Sequence, residues 1–98
     1  MRKETLCETE MMLRRYPALQ DKQSRMLRRW REAIDDTLAE YRENGEPEKL
    51  ELLSLHYFNG CSDPETMQSL HIGRRTYYAY KYEVLCTAAF YAAKRRAL

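Results

Sequence analysis

Between Leu19 and Tyr41, apolar residues recur every three or four positions and charged residues fill the positions between them. The apolar set is Leu19, Met26, Leu27, Trp30, Ala33, Ile34, Leu38 and Tyr41. This spacing matches the turn of an α-helix that has one apolar face. Asn44-Gly45 follows and is a typical helix end, because glycine adopts the left-handed conformation there without steric cost. The sequence therefore predicts one long amphipathic helix over residues 18–43, with Trp30 in the core.

Proline and glycine divide the rest of the chain into further helices. A short helix precedes Tyr16-Pro17, where the proline disfavours helix at the residue before it. Pro47 suits the first position of a third helix, since its missing N–H is not needed there. That helix has Leu50, Leu53, Tyr57 and Phe58 on its apolar face and is expected to stop at Asn59-Gly60.

A very short fourth helix and a tight turn come next. Either Ser62 or Asp63 caps this helix, because both side chains can accept a hydrogen bond from a free N–H of the first turn. The tetrad 71–74 is too short for anything but a turn, in which Ile72 is expected to be a buried pin and Gly73 an N-cap. A last helix is predicted from about residue 74 into the nineties.

The chain has 98 residues but only 3 Gly and 3 Pro, which disfavours disorder and an all-β fold. We therefore expect an all-α protein. Residues 1–45 form an N-terminal helical hairpin with the long amphipathic helix, serving in packing or dimerisation. Residues 46–98 form a C-terminal trihelical helix-turn-helix module, in which a short helix holds a recognition helix in the major groove.

Cysteine and histidine usage gives no sign of catalysis or metal binding. Cys7, Cys61 and Cys86 lie far apart and form no Cys-x-x-Cys pair, which disfavours a zinc site or disulfides and favours a reducing cytoplasm. His56 and His71 have no carboxylate or cysteine at ligand spacing, and no phosphate-binding loop is present. No apolar run matches a membrane span, and the charged N-terminus lacks the apolar block of a signal peptide. We expect a cytoplasmic protein with no enzyme activity, cofactor, metal or membrane contact.

Charge changes sign along the second half of the chain. Residues 46–70 carry five acids and one base, whereas residues 71–98 carry six bases and one acid. A surface that binds a polyanion would explain this change in charge. A solvated helix with a basic end that complements its own dipole explains it equally well.

The last helix separates into two faces when its residues are projected at about 100° each. Tyr77, Tyr80, Val84, Ala88 and Tyr91 form the inward stripe. The other side carries arginine and tyrosine beside a small residue, and such side chains can bond base edges or phosphates while permitting close approach. The predicted DNA-binding residues are Arg74, Arg75, Thr76, Tyr78, Ala79, Lys81 and Tyr82, with Thr76 and Lys81 at the edges for phosphate contact.

Residues 48 to about 90 resemble region four of sigma-70-type RNA polymerase factors. More closely, they look like the small phage-encoded transcriptional regulators of the ArpU and RinA type. Two runs carry the resemblance, Leu52-Leu53-Ser54-Leu55-His56-Tyr57-Phe58-Asn59-Gly60 and Ile72-Gly73-Arg74-Arg75-Thr76-Tyr77-Tyr78, with Ser62, Met67 and Leu70 between them. The short helix departs from the family, because residues 63–70 are unusually polar and lack the usual Ile-Ala pair.

The resemblance implies a phage or prophage transcriptional regulator whose partner is double-stranded DNA, with Arg74, Arg75, Thr76 and Tyr78 beginning the recognition helix. Activation would also require RNA polymerase, for which the acidic residues Glu46, Glu48 and Glu51 are a candidate contact. Two other functions stay open, a small terminase-like DNA-packaging protein and a helix-turn-helix adaptor that binds only proteins.

Oligomeric state is open as well. The long helix has a larger apolar face than a three-helix module can bury, and Leu85, Ala89 and Ala92 form a second apolar stripe on the last helix. Packing within the chain and formation of a homodimer are equal alternatives for covering these faces.

Overall fold

A computed structural model of the chain describes residues 2–19 and 24–98, which form five α-helices and no strand. The helices are α1 (Lys3–Arg15), α2 (Arg25–Glu43), α3 (Pro47–Leu52), α4 (Asp63–Leu70) and α5 (Arg74–Lys94). A 3-10 turn over Tyr16–Ala18 follows α1, and a π-helical segment over Leu53–Phe58 continues α3. The all-α fold class is confirmed.

The long second helix begins later than its apolar periodicity predicted. Leu19 donates a 3.0 Å backbone hydrogen bond to Tyr16, which closes the 3-10 turn, and Leu19 itself is extended, so no helix starts at residue 18. Helix α2 begins instead after Ser24, whose hydroxyl accepts a 3.3 Å hydrogen bond from the N–H of Leu27. Of the predicted span, residues 20–23 lie outside the described residues.

The predicted ends of α2 and of the third helix are confirmed. Helix α2 stops before Gly45, which has a φ of 66°, a left-handed value that glycine adopts without steric cost. The π-helical segment stops before Gly60, which has a φ of 76°. Two adjacent glycine-terminated helices therefore have ends that local sequence alone identified.

Helix α5 is the element against which the others pack. Helices α1, α2 and α3 all contact it, and α2 does so most extensively. The main core draws on every helix and consists of Leu13, Ile34, Leu38, Tyr41, Leu52, Leu53, Tyr57, Leu70, Tyr77, Val84 and Ala88. A smaller cluster, Met12, Trp30, Ala33, Ala92 and Ala97, joins α1 and α2 to the far end of α5. Trp30 is buried in it, as predicted.

Most of the apolar face of α2 and the second stripe of α5 are covered within the chain, whereas Met26 at the start of α2 is 47% exposed. Trp30, Ile34 and Tyr41 of α2 are buried, and so are Ala89 and Ala92 of α5, while Leu85 is half-buried. Helices α1 and α2 both pack on α5, and α1 also packs on the π-helical segment Leu53–Phe58. Intramolecular packing is thus the arrangement seen for both apolar faces.

The described residues have a Cα radius of gyration of 13.0 Å, which is about the value expected for a compact chain of 100 residues. Among the helices that they form, none combines the length and the apolar character needed to cross a bilayer.

Candidate nucleic-acid interface

Helix α4 is held at its start by a reciprocal cap. The hydroxyl of Ser62 accepts a 3.2 Å hydrogen bond from the N–H of Glu65, and the Glu65 carboxylate accepts a 2.9 Å bond from the N–H of Ser62. Of the two capping residues considered, the structure uses Ser62. Such a capping box satisfies two N–H groups that the helix itself cannot pair, which lets a helix of only eight residues persist.

The turn after α4 lies where predicted but spans residues 71–73, one fewer than the predicted tetrad, because Arg74 already belongs to α5. His71 is left-handed with a φ of 55°, and Gly73 is the N-cap of α5, as expected. Ile72 is half-buried and packs against the main core, so it anchors the turn without being fully enclosed. Histidine tolerates this backbone region better than most residues other than glycine.

Asp63 connects the first residue of α4 to the buried side of α5. Its carboxylate accepts hydrogen bonds of 2.6 Å from the hydroxyl of Tyr77 and 3.2 Å from the Lys81 ammonium. Burial alone would raise the pKa of Asp63, but these two hydrogen bonds and the charge of Lys81 outweigh it and lower the pKa. The pairing therefore constrains how α5 is oriented relative to α4.

The start of α5 presents most of the predicted DNA-binding residues to solvent. Six of the seven are exposed, and we call them the outer face of α5: Arg74, Arg75, Thr76, Tyr78, Ala79 and Tyr82. The large rings are accessible, since Tyr78 is 41% and Tyr82 52% exposed. The helix thus offers flat aromatic and cationic side chains together over its first three turns.

In the described part of the chain, no carboxylate neutralises the two arginines of the outer face. Arg74 lies over the ring of Tyr78, with its guanidinium carbon 6.0 Å from the ring centroid. Within residues 2–19 and 24–98, neither Arg74 nor Arg75 forms an ion pair. Gly73 provides no side-chain cap for the first N–H groups of α5. Unpaired cations beside the positive end of a helix dipole are suited to an anionic ligand.

Lys81 differs from the other six predicted residues. Its ammonium lies 3.2 Å from the Asp63 carboxylate and 3.7 Å from that of Glu10, and its side chain is only 16% exposed. It therefore has carboxylate partners inside the protein before any phosphate approaches. Its contact with phosphate stays a prediction.

The polar cluster that includes Glu10, Tyr57, His56 and Asp63 was not predicted from the sequence. Glu10, from α1, accepts a 2.8 Å hydrogen bond from the Tyr57 hydroxyl. The buried ring of His56 has Nδ1 at 2.8 Å from the Cys61 carbonyl oxygen and Nε2 at 3.5 Å from Asp63. The sequence identifies Asp63 as the acid at the start of a proline-containing helix. Nothing in the sequence near Glu10 indicates its partners on the other helices.

No family model, no curated protein and no solved structure matches the chain. Cys7, Cys61 and Cys86 are free thiols. In the part of the chain that the structure describes, no three His, Cys, Asp or Glu side chains are grouped so that they could hold a metal ion. Geometry and charge at the start of α5 are therefore the grounds for assigning a function.

Proposed function

We propose that the chain is a DNA-binding transcriptional regulator in which α4, the turn and the start of α5 act as a helix-turn-helix. The observation that carries this proposal is the outer face of α5, where Arg74 and Arg75 are exposed and unpaired among the described residues, next to two accessible tyrosines. Cationic and aromatic side chains on one exposed helix are what a phosphate-lined groove binds.

The order of the elements supports the same proposal. A helix of eight residues and a three-residue turn precede α5, and the major groove is about 12 Å wide, enough to admit a helix. The tie between Asp63 and Tyr77 holds α5 against α4, so that α4 can lie across the phosphate backbone while α5 enters the groove. The resemblance to region four of sigma-70-type factors favours this mode of docking.

Individual side chains of the outer face have different roles in this proposal. Arg74 and Arg75 bond guanine edges or phosphates, and Tyr78 and Tyr82 contact phosphate or thymine methyl groups. Ala79 lets the helix approach the bases closely, and Thr76 contacts phosphate at the edge. Lys81 acts as a positioning residue, since its two carboxylate partners connect α5 to α1 and α4.

Regulation of phage or prophage genes by contact with RNA polymerase is the finer part of the proposal. Glu48 and Glu51 are exposed on α3, whereas Glu46 pairs with Lys49 at 2.7 Å. Glu48 and Glu51 are therefore the acidic residues available to a basic patch on the polymerase.

Binding of the full chain to labelled duplexes of random sequence, measured at several salt concentrations, tests the proposal. Affinity should fall steeply with salt, and Arg75→Ala should weaken binding by about 1–3 kcal/mol at a duplex where this residue reads a base. Arg42→Ala, which removes an exposed arginine of α2 that is not part of the outer face, is the matched control and should bind like the wild type. Absence of binding at low salt, or equal losses in both variants, would overturn the proposal.

A further inference from the structure

We infer that the chain has a second DNA-binding surface, independent of base sequence, at the opposite end of α5. We call it the basic pole, and it consists of Arg25, Arg28, Arg29, Lys94 and Arg96. The inference rests on the proposed function of the outer face. It adds that one copy of the chain binds two DNA segments at once.

Packing brings the start of α2 and the end of α5 together. The guanidinium of Arg29 donates a 3.3 Å hydrogen bond to the carbonyl of Arg96. Next to it, Trp30 is buried in the cluster that contains Ala92 and Ala97. Arginines that are remote in the sequence therefore share one end of the molecule.

Four of the five side chains in the basic pole are exposed, and Arg29 is half-buried. Among the described residues none of the five forms an ion pair, although Lys94 lies 5.9 Å from the ring centroid of Phe90. Arg95, which is not counted in the pole, shows the contrast. Its Nε lies 2.5 Å from the carboxylate of Asp36 and its Nη1 3.4 Å from that of Glu32. The local acids thus neutralise Arg95 and leave the pole positive.

The arginines at the start of α2 lie at the positive end of its helix dipole, where a cation is unfavourable. Helices α1, α3 and α4 each have an acid in the first turn, which is the favourable sign. The first turn of α2 has none and begins instead with Arg25, followed closely by Arg28. Cations at this end reduce the stability of the helix. Folding does not explain their position, whereas an anionic ligand would.

Distance separates the pole from the outer face. Helix α5 has 21 residues, so its two ends lie about 30 Å apart. Charges in physiological salt act over only about 8 Å. The pole is therefore too far from a DNA segment held at the start of α5 to be attracted to the same phosphates. Exposed arginine and lysine side chains neutralise phosphates, and phosphate contacts carry no base sequence information, so a second segment of duplex DNA is the ligand.

A bridging assay tests this inference. The full chain is added to a bead-immobilised duplex, and retention of a second, fluorescent duplex is measured. Replacing Arg25, Arg28 and Arg96 together by Gln should reduce retention by about tenfold. Affinity for one short duplex should stay within about twofold of wild type, because the outer face is unchanged. The matched control replaces Arg2, Arg15 and Arg42, three exposed arginines outside both surfaces, by Gln and should bridge normally.

Thermal unfolding of both triple variants checks that they are folded. The pole variant should melt no lower than the control variant. Unchanged bridging by the pole variant would overturn the inference. This includes bridging by a dimer, which could bind one duplex through each of its two outer faces and would not need the pole. A loss of single-duplex affinity as large as that of Arg75→Ala would also overturn it, because the pole would then belong to the first interface. So would binding of the pole to anionic lipid vesicles in preference to duplex DNA.

Failure of the proposed function gives a different result. If a variant with both Arg74→Ala and Arg75→Ala kept wild-type affinity while the pole variant lost all binding, the proposed function would fail, because the outer face would not bind DNA and the pole would be the first DNA surface instead of a second one. If the proposed function holds, that double variant retains only weak, salt-sensitive binding, which the pole substitutions then abolish.

Discussion

The hydroxyl of Tyr77 donates a 2.6 Å hydrogen bond to the carboxylate of Asp63. Tyr77 is fully buried on α5, whereas Asp63 opens α4. Burial and the neighbouring carboxylate together raise the pKa of Tyr77, so the tyrosine remains a donor. Lys81 donates to the same carboxylate oxygen at 3.2 Å. One acid thereby holds the helix that carries the outer face.

Removal of this carboxylate should destabilise the fold. Asp63→Ala removes the acceptor of the Tyr77 hydroxyl and leaves the Lys81 ammonium with Glu10 alone, and we expect the free energy of unfolding to fall by about 1–3 kcal/mol. Asp63→Asn keeps a neutral acceptor oxygen and should cost less. Urea unfolding at pH 7 measures both variants. Wild-type stability in Asp63→Ala would contradict the tie between α4 and α5.

The contribution of Asp63 should also depend on pH. Its pKa in the folded protein lies below its ordinary value of 3.8. A depressed pKa means that the stabilisation is present above the unfolded-state value and is lost as the pH falls through the folded-state value. The stability difference between wild type and Asp63→Asn should therefore persist from pH 7 to about 4 and close below that. A stability difference between the two proteins that grows as the pH falls would contradict a lowered pKa for Asp63.

Lys81 and Arg75 should respond differently to substitution. Lys81→Met keeps the aliphatic stem but removes the cation that Asp63 and Glu10 share, and Glu10 then keeps its 3.8 Å ion pair with Arg14. The protein should therefore lose about 1–3 kcal/mol of stability. Its DNA affinity, compared where both proteins are folded, should change little. Arg75→Ala should show the reverse, with unchanged melting and weakened binding. A large loss of DNA affinity in folded Lys81→Met would instead place Lys81 at a phosphate.

Tyr16 should make the fold sensitive to alkali. Its hydroxyl donates to Asp35 and its ring stacks on Phe58 with centroids 4.8 Å apart. Burial, followed by the bond to Asp35, raises the pKa of Tyr16 from 10.0 to about 12. A raised pKa contributes stability that is complete below the unfolded-state value and is lost as the pH rises through the folded-state value. Between pH 10 and 12, Tyr16→Phe should therefore lose stability less steeply than wild type in denaturant titrations. If the free energy of unfolding fell equally steeply with pH in both proteins, the prediction would be wrong.

Dilution should leave the stability of the free protein unchanged. Most of the apolar side of α2, including Trp30 and Ile34, is already buried within one chain, and a fold that needs no partner has a melting temperature independent of concentration. Thermal unfolding over a hundredfold dilution, followed by Trp30 fluorescence, checks this. A midpoint that falls steadily on dilution would indicate that a second copy covers α2.

Periodicity and end signals were sufficient to predict most of the secondary structure. The glycines at 45 and 60 end their helices as expected, and Gly73 caps α5. Leu19 does not follow its periodicity. Its spacing extends the helical pattern, yet it is extended, because Pro17 lies in a 3-10 turn and Ser24 provides a cap. Apolar spacing does not distinguish a helix from a turn that places one side chain against the same core.

Local sequence by itself determined the outer face of α5. The helical repeat decides which residues near the start of one helix share a face, and all six predicted there are exposed. Only tertiary structure decided that Lys81 would be held by Glu10 and Asp63, and that Arg29 would meet Arg96. The physical reason is range. Helical geometry depends on neighbours three or four residues apart, whereas ion pairs and shared surfaces between distant segments depend on how the helices pack.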